Sequence, residues 1–294
     1  MPCFIVPLKT KKGHTRAKTI GLFQAGAKRW RLSCETTSLN PQLTIIIPTY
    51  NSLKDLPYCL ESIENTLNAQ LGDSVVIHVQ DGKSSDGTEK YLSALNLPYL
   101  TYHSAEDLGV YDAMNKAVNV SRTKWVYFMG ADDRLLPGFT EALEHLKEND
   151  RIYYGNVVIA STGKRYDGRF TPLKLVYRNI CHQSMFFPSH LLKATPYSLR
   201  YRIKSDWASN IEFIRREILE YLEYDIAVFQ DQNGLSSTQD DIVFEQDKAR
   251  LFQVNHGVAL QLQAMLAPFV TRLYKRANRL MRNGTQSKLK AGIE

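Results

Sequence analysis

The sequence predicts an α/β domain whose sheet is mainly parallel and flanked by helices. Two observations carry that prediction. From Leu43 onward, short apolar runs of strand length alternate with stretches of helical period. The apolar runs also stop abruptly at polar or acidic loops. The clearest case is WVYFMGADDRLLP (125–137), a doubly buried strand pattern that ends at the adjacent carboxylates Asp132 and Asp133.

The elements follow in order. LTIII (43–47) reads as a buried strand closed by Pro48, and PTYNS as a loop. Ser52 or Asp55 then caps a helix that carries Leu60, Ile63 and Leu67 on one face. VVIHV (75–79) is a second strand ending in a Ser- and Gly-rich loop, and Asp86 with Glu89 resembles a capping box for a helix through Leu95. YLTY (99–102) predicts a third strand, VYDAMNKAV (110–118) a helix, and 125–129 the fourth strand. Gly130 lets the chain turn, and Pro137 suits the first turn of a helix running to about Lys147.

The second half is less regular. IYYGNVVIA and RYDGRF, joined by Ser161-Thr162-Gly163, predict a hairpin. A short helix is expected over 172–179 and a short strand at MFF (185–187). A longer helix is expected from Ser205, with Trp207, Ile211, Ile214, Ile218 and Leu222 in helical register, and DIAVFQ (225–230) as a strand. The remainder reads as helical.

At 294 residues with 44% apolar content, the chain can bury a sizeable core. No apolar run approaches the length of a membrane span. The four cysteines (Cys3, Cys34, Cys59, Cys181) lack metal or framework spacing and read as free thiols of a reducing compartment. The net charge of +7 is unevenly placed: residues 1–34 and 272–294 together hold fifteen Lys/Arg and one acid, leaving a net −7 on the body. The expected organisation is a basic N-terminal extension (1–40), a catalytic domain (41–240) and a helical basic C-terminal region (241–294). Basic ends on an acidic body suggest either contact with an anionic membrane surface, rather than nucleic acid, or solvated disordered tails. The stripe Leu266, Phe269, Val270 and Leu273 beside Arg272, Lys275, Arg276, Arg279 and Arg282 fits a helix lying on such a surface, and equally a helix packed on the body with a solvated basic face.

Four polar clusters carry the chemistry: PTYN (48–51), QDGKSSDGT (80–88), ADD (131–133) and SDW (205–207). In a parallel sheet the first three converge on the edge where open α/β sheets bind ligands. Carboxylates gathered there need a cation or a hydrogen-bonding ligand, because like charges held close are costly. A nucleotide diphosphate with a divalent cation supplies both.

These clusters, in this order, resemble a known family. TIIIPTYN, DGKSSDGT, EDLGVYDAMNKAV, WVYFMGADDRLLP, HQSMFF, SDW and NGLSS, spread over residues 43–240, resemble the family 2 glycosyltransferases of the GT-A fold, with its Rossmann-like nucleotide-binding sheet. The EDLGVYDAMNKAV segment looks most like bacterial members that build O-antigen, capsule or exopolysaccharide. The resemblance implies an inverting enzyme that moves a sugar from a nucleotide-sugar, by default a UDP-sugar, to a saccharide or lipid-linked saccharide. It implies Mn²⁺ or Mg²⁺ as cofactor and a cytoplasmic location, peripheral on the inner face of the cytoplasmic membrane.

Site roles carry over position by position. Pro48, Thr49, Tyr50, Asn51 and Asp81 are implied for the base and ribose. Asp132 and Asp133 match the DxD-type motif, with Asp133 on the metal. Glu106, Asp107, Tyr111, Asp112 and Asn115 sit where relatives line the donor sugar and phosphates, and Asp112 and Asn115 share a helix face. His182 and Gln183 fall on the acceptor side, and Asp206 matches the catalytic base. Two departures stand out. Ala131 replaces the usual polar residue, and the acidic pair around the base is reduced to Ser205-Asp206.

Two other classes compete. A nucleotidyltransferase would need a Gly- and basic-rich loop after the first strand to hold a triphosphate, and PTYNSLKD has no Gly and one Lys. A non-catalytic nucleotide-sugar-binding protein of the same fold would have no need of the complete acidic set.

Overall fold

In a computed structural model, which describes residues 41–166, 168–232 and 239–291, the three consecutive isoleucines of the first strand are fully buried on opposite sides of the sheet. Ile45 and Ile47 enter one apolar core and Ile46 the other, as the two-residue period of a strand requires. Each such side chain contributes roughly 2 kcal/mol by leaving water.

This strand, β1 (Leu43–Thr49), is followed by α1 (Leu56–Leu67), β2 (Val75–Asp81), α2 (Thr88–Ala94), β3 (Leu100–Ser104), α3 (Val110–Val120) and β4 (Trp125–Phe128). The predicted β-α-β-α-β-α-β order is therefore present. Strands β1 to β4 are mutually parallel in the order β3-β2-β1-β4, with β1 paired to β2 from Leu43↔Val75 to Thr49↔Asp81.

Beyond β4 the sheet changes character. β5 (Arg134–Leu135) and α4 (Gly138–Leu143) lead to β6 (Ile152–Ile159), which turns back through Ser161-Thr162-Gly163 into β7 (Lys164–Arg165). The hairpin is present, but its second arm is only two residues long. Then follow α5 (Pro172–Tyr177), a 3₁₀ turn (His182–Ser184), β8 (Met185–Pro188), α6 (Ser189–Ala194), α7 (Ser205–Arg215) and β9 (Leu219–Phe229). β8 runs antiparallel to both β4 and β6, whereas β6 and β9 are parallel, so the nine strands form one mixed sheet with a parallel N-terminal half.

One predicted element changes. The helix expected to carry Ile218 and Leu222 stops at Arg215, and Leu222 belongs to β9. Glu217 takes φ +55, a left-handed conformation that ends helices. Leu219–Tyr221 then pair with Ile152–Tyr154 of β6, and the pairing resumes at Asp225 after a register irregularity.

The two cores give three layers. Helices α1, α2 and α4 cover one face through Leu60, Ile63, Leu92 and Phe139. Helices α3 and α5 to α7 cover the other, together with α8 (Ile242–His256) and α9 (Val258–Ala291). Among the described residues no helix is long and apolar enough to cross a membrane. The extension expected over 1–40 lies outside the described residues, as do Cys3 and Cys34 and the whole NGLSS motif.

Candidate active site

The C-terminal ends of β1, β2 and β4 open together. The loop after β1 and the loop after β2 are tied by hydrogen bonds. The Asn51 N–H donates to Ser84 Oγ at 2.7 Å, Asn51 Oδ1 accepts from the Ser85 N–H at 2.9 Å, and Asp86 Oδ2 accepts from the Leu53 N–H at 2.9 Å. Asp86 also accepts from Thr88, so it serves as a turn anchor at the start of α2. The Asp81 carboxylate is fully buried and already receives hydrogen bonds from the Ser84 N–H and the Ser84 and Ser104 hydroxyls. Gly82 leaves room above it: a Cβ there would stand 2.6 Å from Asp107 and 3.3 Å from the Tyr50 ring. Tyr50 is 67% exposed and offers that ring as a stacking face. Thr49 is buried and accepts the Gly82 N–H through its carbonyl.

The second part of the site is a cleft of about 630 Å³ beside these loops. Pro48, Asp132, His182, Gln183 and Asp206 line it, together with Asp55, Tyr111 and Asn179. Three of the four polar clusters, PTYN, ADD and SDW, are thus represented along one opening, and the QDGKSSDGT loop lies outside its lining.

The paired carboxylates behave differently. Asp133 is fully buried, and its oxygens accept from the Gly130 N–H at 3.0 Å, the Gln230 N–H at 3.0 Å and Gln183 Nε2 at 2.9 Å. The sequence reading gave the metal to Asp133; the geometry turns that side chain inward against three protein donors and leaves Asp132 facing the cleft. Burial, then the neighbouring Asp133 charge, pushes Asp132 up to about 6. The turn that parts them depends on Gly130, where a Cβ would stand 2.6 Å from Asp133 and 2.9 Å from Asp132. The buried Cys59 thiol donates to the Gly130 carbonyl, and burial keeps it protonated.

Among the described residues no three His, Cys, Asp or Glu side chains are gathered as a metal cage. Asp132, with Asp55 also in the cleft lining, still suits a hard divalent cation, which commonly takes one or two protein carboxylates and fills its other positions with phosphate oxygens and water. The donor set therefore fits a metal–diphosphate rather than a free ion.

On the facing side Asp206 begins α7 and is 8% exposed. Its Oδ1 accepts from the Trp207 N–H at 2.8 Å and lies 2.7 Å from the Tyr111 hydroxyl. Its Oδ2 accepts from Asn179 Nδ2 at 2.8 Å and lies 3.4 Å from His182 Nδ1. Asn179 is itself held by Asn210 Nδ2 at 2.9 Å.

Two expected donor contacts are redirected. Asp112 accepts the Leu108 N–H at 2.9 Å and pairs with Lys116 at 2.8 Å, which caps the first turn of α3. Asn115 holds the backbone of Tyr197 with both ends of its amide. The face of α3 that meets the cleft is instead Val110, Tyr111 and Met114. Gln183, expected on the acceptor side, bridges the cleft wall to Asp133. Asn179 and Asn210 escaped the sequence reading altogether. Each lies in an unremarkable stretch, and only the fold brings them to Asp206.

A cleft at the carboxyl edge of a parallel sheet, with Asp132 and Asp206 in its lining, fits a glycosyltransferase of the GT-A class. Comparison with known proteins agrees. The model of glycosyl transferase family 2 matches residues 44–221, and the chain belongs to that family. A PGL/p-HBAD biosynthesis glycosyltransferase of Mycobacterium tuberculosis is 38% identical over 211 residues, covering 67% of this chain and 80% of the relative. An uncharacterised glycosyltransferase of Methanocaldococcus jannaschii is 26% identical over 204 residues, covering 63% of this chain and 68% of that protein. Among solved structures, Staphylococcus aureus TarS 1-349 in complex with UDP-GlcNAc superposes with a TM-score of 0.59 at 15% identity, over 80% of this chain and 73% of that one. The chain spans 43% of the longer TarS structure.

Proposed function

We propose that the chain is an inverting glycosyltransferase that takes a sugar from a nucleoside diphosphate donor, a uridine one in the first instance. The acceptor is the hydroxyl of a saccharide or lipid-linked saccharide of the bacterial surface. The observation that carries this reading is Asp206, a carboxylate at a helix start that lines the same cleft as Asp132 and is oriented by Tyr111, Asn179 and the Trp207 N–H.

In the proposed reaction Asp206 accepts the proton of the acceptor hydroxyl as its oxygen attacks the anomeric carbon. The bond from that carbon to the diphosphate oxygen breaks on the opposite side, so the configuration inverts in one displacement. Asp132 would hold Mn²⁺ or Mg²⁺, which, when bound, neutralises the charge developing on the leaving diphosphate. Asp133 acts indirectly by keeping the turn at Gly130 closed. Tyr50 and Gly82 receive the base, and Pro48, Thr49, Asn51 and Asp81 shape the loops beneath it. The complex of TarS with UDP-GlcNAc supports a uridine donor by likeness of fold. The family match leaves the nucleotidyltransferase reading without support.

A panel of UDP-, GDP- and dTDP-sugars, offered with Mn²⁺ or Mg²⁺ and followed for release of free nucleoside diphosphate, tests the reading. One donor is expected to stand out, with release lost on chelation and in Asp132→Asn. Absence of release from every donor, with no donor binding by calorimetry, would sink it.

A further inference from the structure

Helix α9 sits on the body the wrong way round for a surface helix. Its seated face is small: Ala264 and Ala267 are buried in the core. Its outward face is large and apolar. Leu262, Met265, Leu266, Phe269, Val270 and Leu273 recur at helical spacing and are between 44% and 62% exposed. A helix that merely packs on a domain turns such residues inward. The described side chains leave this stripe uncovered, and Arg272 and Arg276, both exposed, flank it one turn apart.

The charge around the stripe is one-sided. From Lys248 to Ile293 the sequence holds nine Lys/Arg and not one acid, although the body carries a net negative charge. A second copy packed on the same stripe would bring basic flanks together with no acid in the helix to offset them. A partner for this face must be apolar in the middle and anionic at the edge, which describes a bilayer with acidic headgroups.

We propose that the outward face of α9 is a docking surface for an anionic lipid bilayer. The stripe enters the acyl boundary and the flanking arginines meet headgroup phosphates. The cleft lies close by: Tyr177, which lines it, donates to Gln263 Oε1 at the stripe's edge across 3.1 Å. Docking therefore sets the acceptor side of the cleft beside the membrane, where an amphipathic acceptor would present its hydroxyl. That consequence rests on the transfer reading; the docking surface does not.

The test is vesicle flotation of the full chain with phosphatidylcholine alone and with phosphatidylcholine mixed with phosphatidylglycerol. The parent is expected to float with the mixed vesicles only. Leu266→Ser/Phe269→Ser/Leu273→Ser is expected to weaken that binding by on the order of tenfold or more, and Arg272→Gln/Arg276→Gln to make it more sensitive to salt. Both variants should keep the parent melting temperature, since the replaced side chains face outward. The N-terminal extension is also basic, so the apolar triple variant is the discriminating one. Unchanged flotation of that variant, no flotation of the parent, or a solution dimer that the triple variant dissociates would each overturn the proposal. Donor-dependent nucleotide release is read separately, so either proposal can fail alone.

Discussion

The Tyr111 hydroxyl lies 2.7 Å from Asp206 Oδ1 and 2.7 Å from the Ile203 carbonyl, one phenolic proton between two acceptors. Burial and the adjacent Asp206 push the Tyr111 phenol well up, so it stays protonated and donates. Removing that donor leaves Asp206 without one of the contacts that orient it. Tyr111→Phe should therefore lower turnover by roughly tenfold or more at unchanged donor affinity, the worth of one hydrogen bond to a charged group. Unchanged turnover would remove Tyr111 from the catalytic network.

Gln183 is a strut. Its amide donates to Asp133, its backbone carbonyl accepts from Tyr127 at 2.6 Å, and its side-chain oxygen accepts from Cys181. Gln183→Leu leaves the buried Asp133 short of one donor and should cost about 1–3 kcal/mol. Urea denaturation would show this as a lower midpoint at unchanged slope; an unchanged midpoint would contradict it.

Asp132 should trade stability for function. Its folded-state pKa is raised to about 6, against an ordinary 3.8. A raised carboxyl pKa means that the folded protein holds the proton more tightly than the unfolded chain. Stability therefore falls as pH rises from about 4 to about 6, and the penalty is fully present at pH 7. Asp132→Asn should raise the unfolding free energy at pH 7 by on the order of 1 kcal/mol after solvent screening, seen as a higher melting temperature, and lose the advantage below pH 4. The same variant should lose cation-dependent donor binding. Parent affinity for cations should weaken as pH drops through 6, measured by calorimetry.

Lys248 offers a second check on electrostatics outside the reacting groups. Its ammonium lies 4.0 Å from the centre of the Trp207 ring, and burial lowers its pKa to about 8. A depressed lysine pKa costs stability fully below 8, and the cost fades as pH rises toward 10.5. Lys248→Met keeps the packing and removes the charge. It should stabilise the protein at pH 7 by on the order of 1 kcal/mol, the cation–π contact offsetting part of the gain. The gain should shrink by pH 10. Thermal denaturation at the two pH values reads the difference, and equal shifts at both would contradict it.

Strand ends were the legible part of this protein. LTIII, VVIHV and WVYFM are buried runs that stop at polar loops, and the parallel half of the sheet follows from them. Adjacent side chains past a turn were not legible. Once Gly130 breaks the strand period, nothing in ADD tells which carboxylate faces out, and only the three donors on Asp133 decide it. The facing of α3 is likewise not set by the sequence alone. Asp112 and Asn115 share one face, but Val110, Tyr111 and Met114 meet the cleft. Leu222 fits the helical spacing, but the left-handed Glu217 ends α7 and leaves Leu222 in β9. Asn179 carries no sequence signal, because its partner lies 27 residues away in the chain. The outward stripe of α9 was visible as a pattern, but that it faces away from the body could be learned only from the buried Ala264 and Ala267.

The central claim is that Asp206 removes the acceptor proton. It is tested most directly by comparing donor binding with nucleoside diphosphate release in Asp206→Asn, using the donor found in the panel. The account predicts donor affinity close to the parent's and release lower by about 10²–10⁴-fold, the usual contribution of a general base. Full release at unchanged affinity would contradict it and move the base to another residue of the cleft.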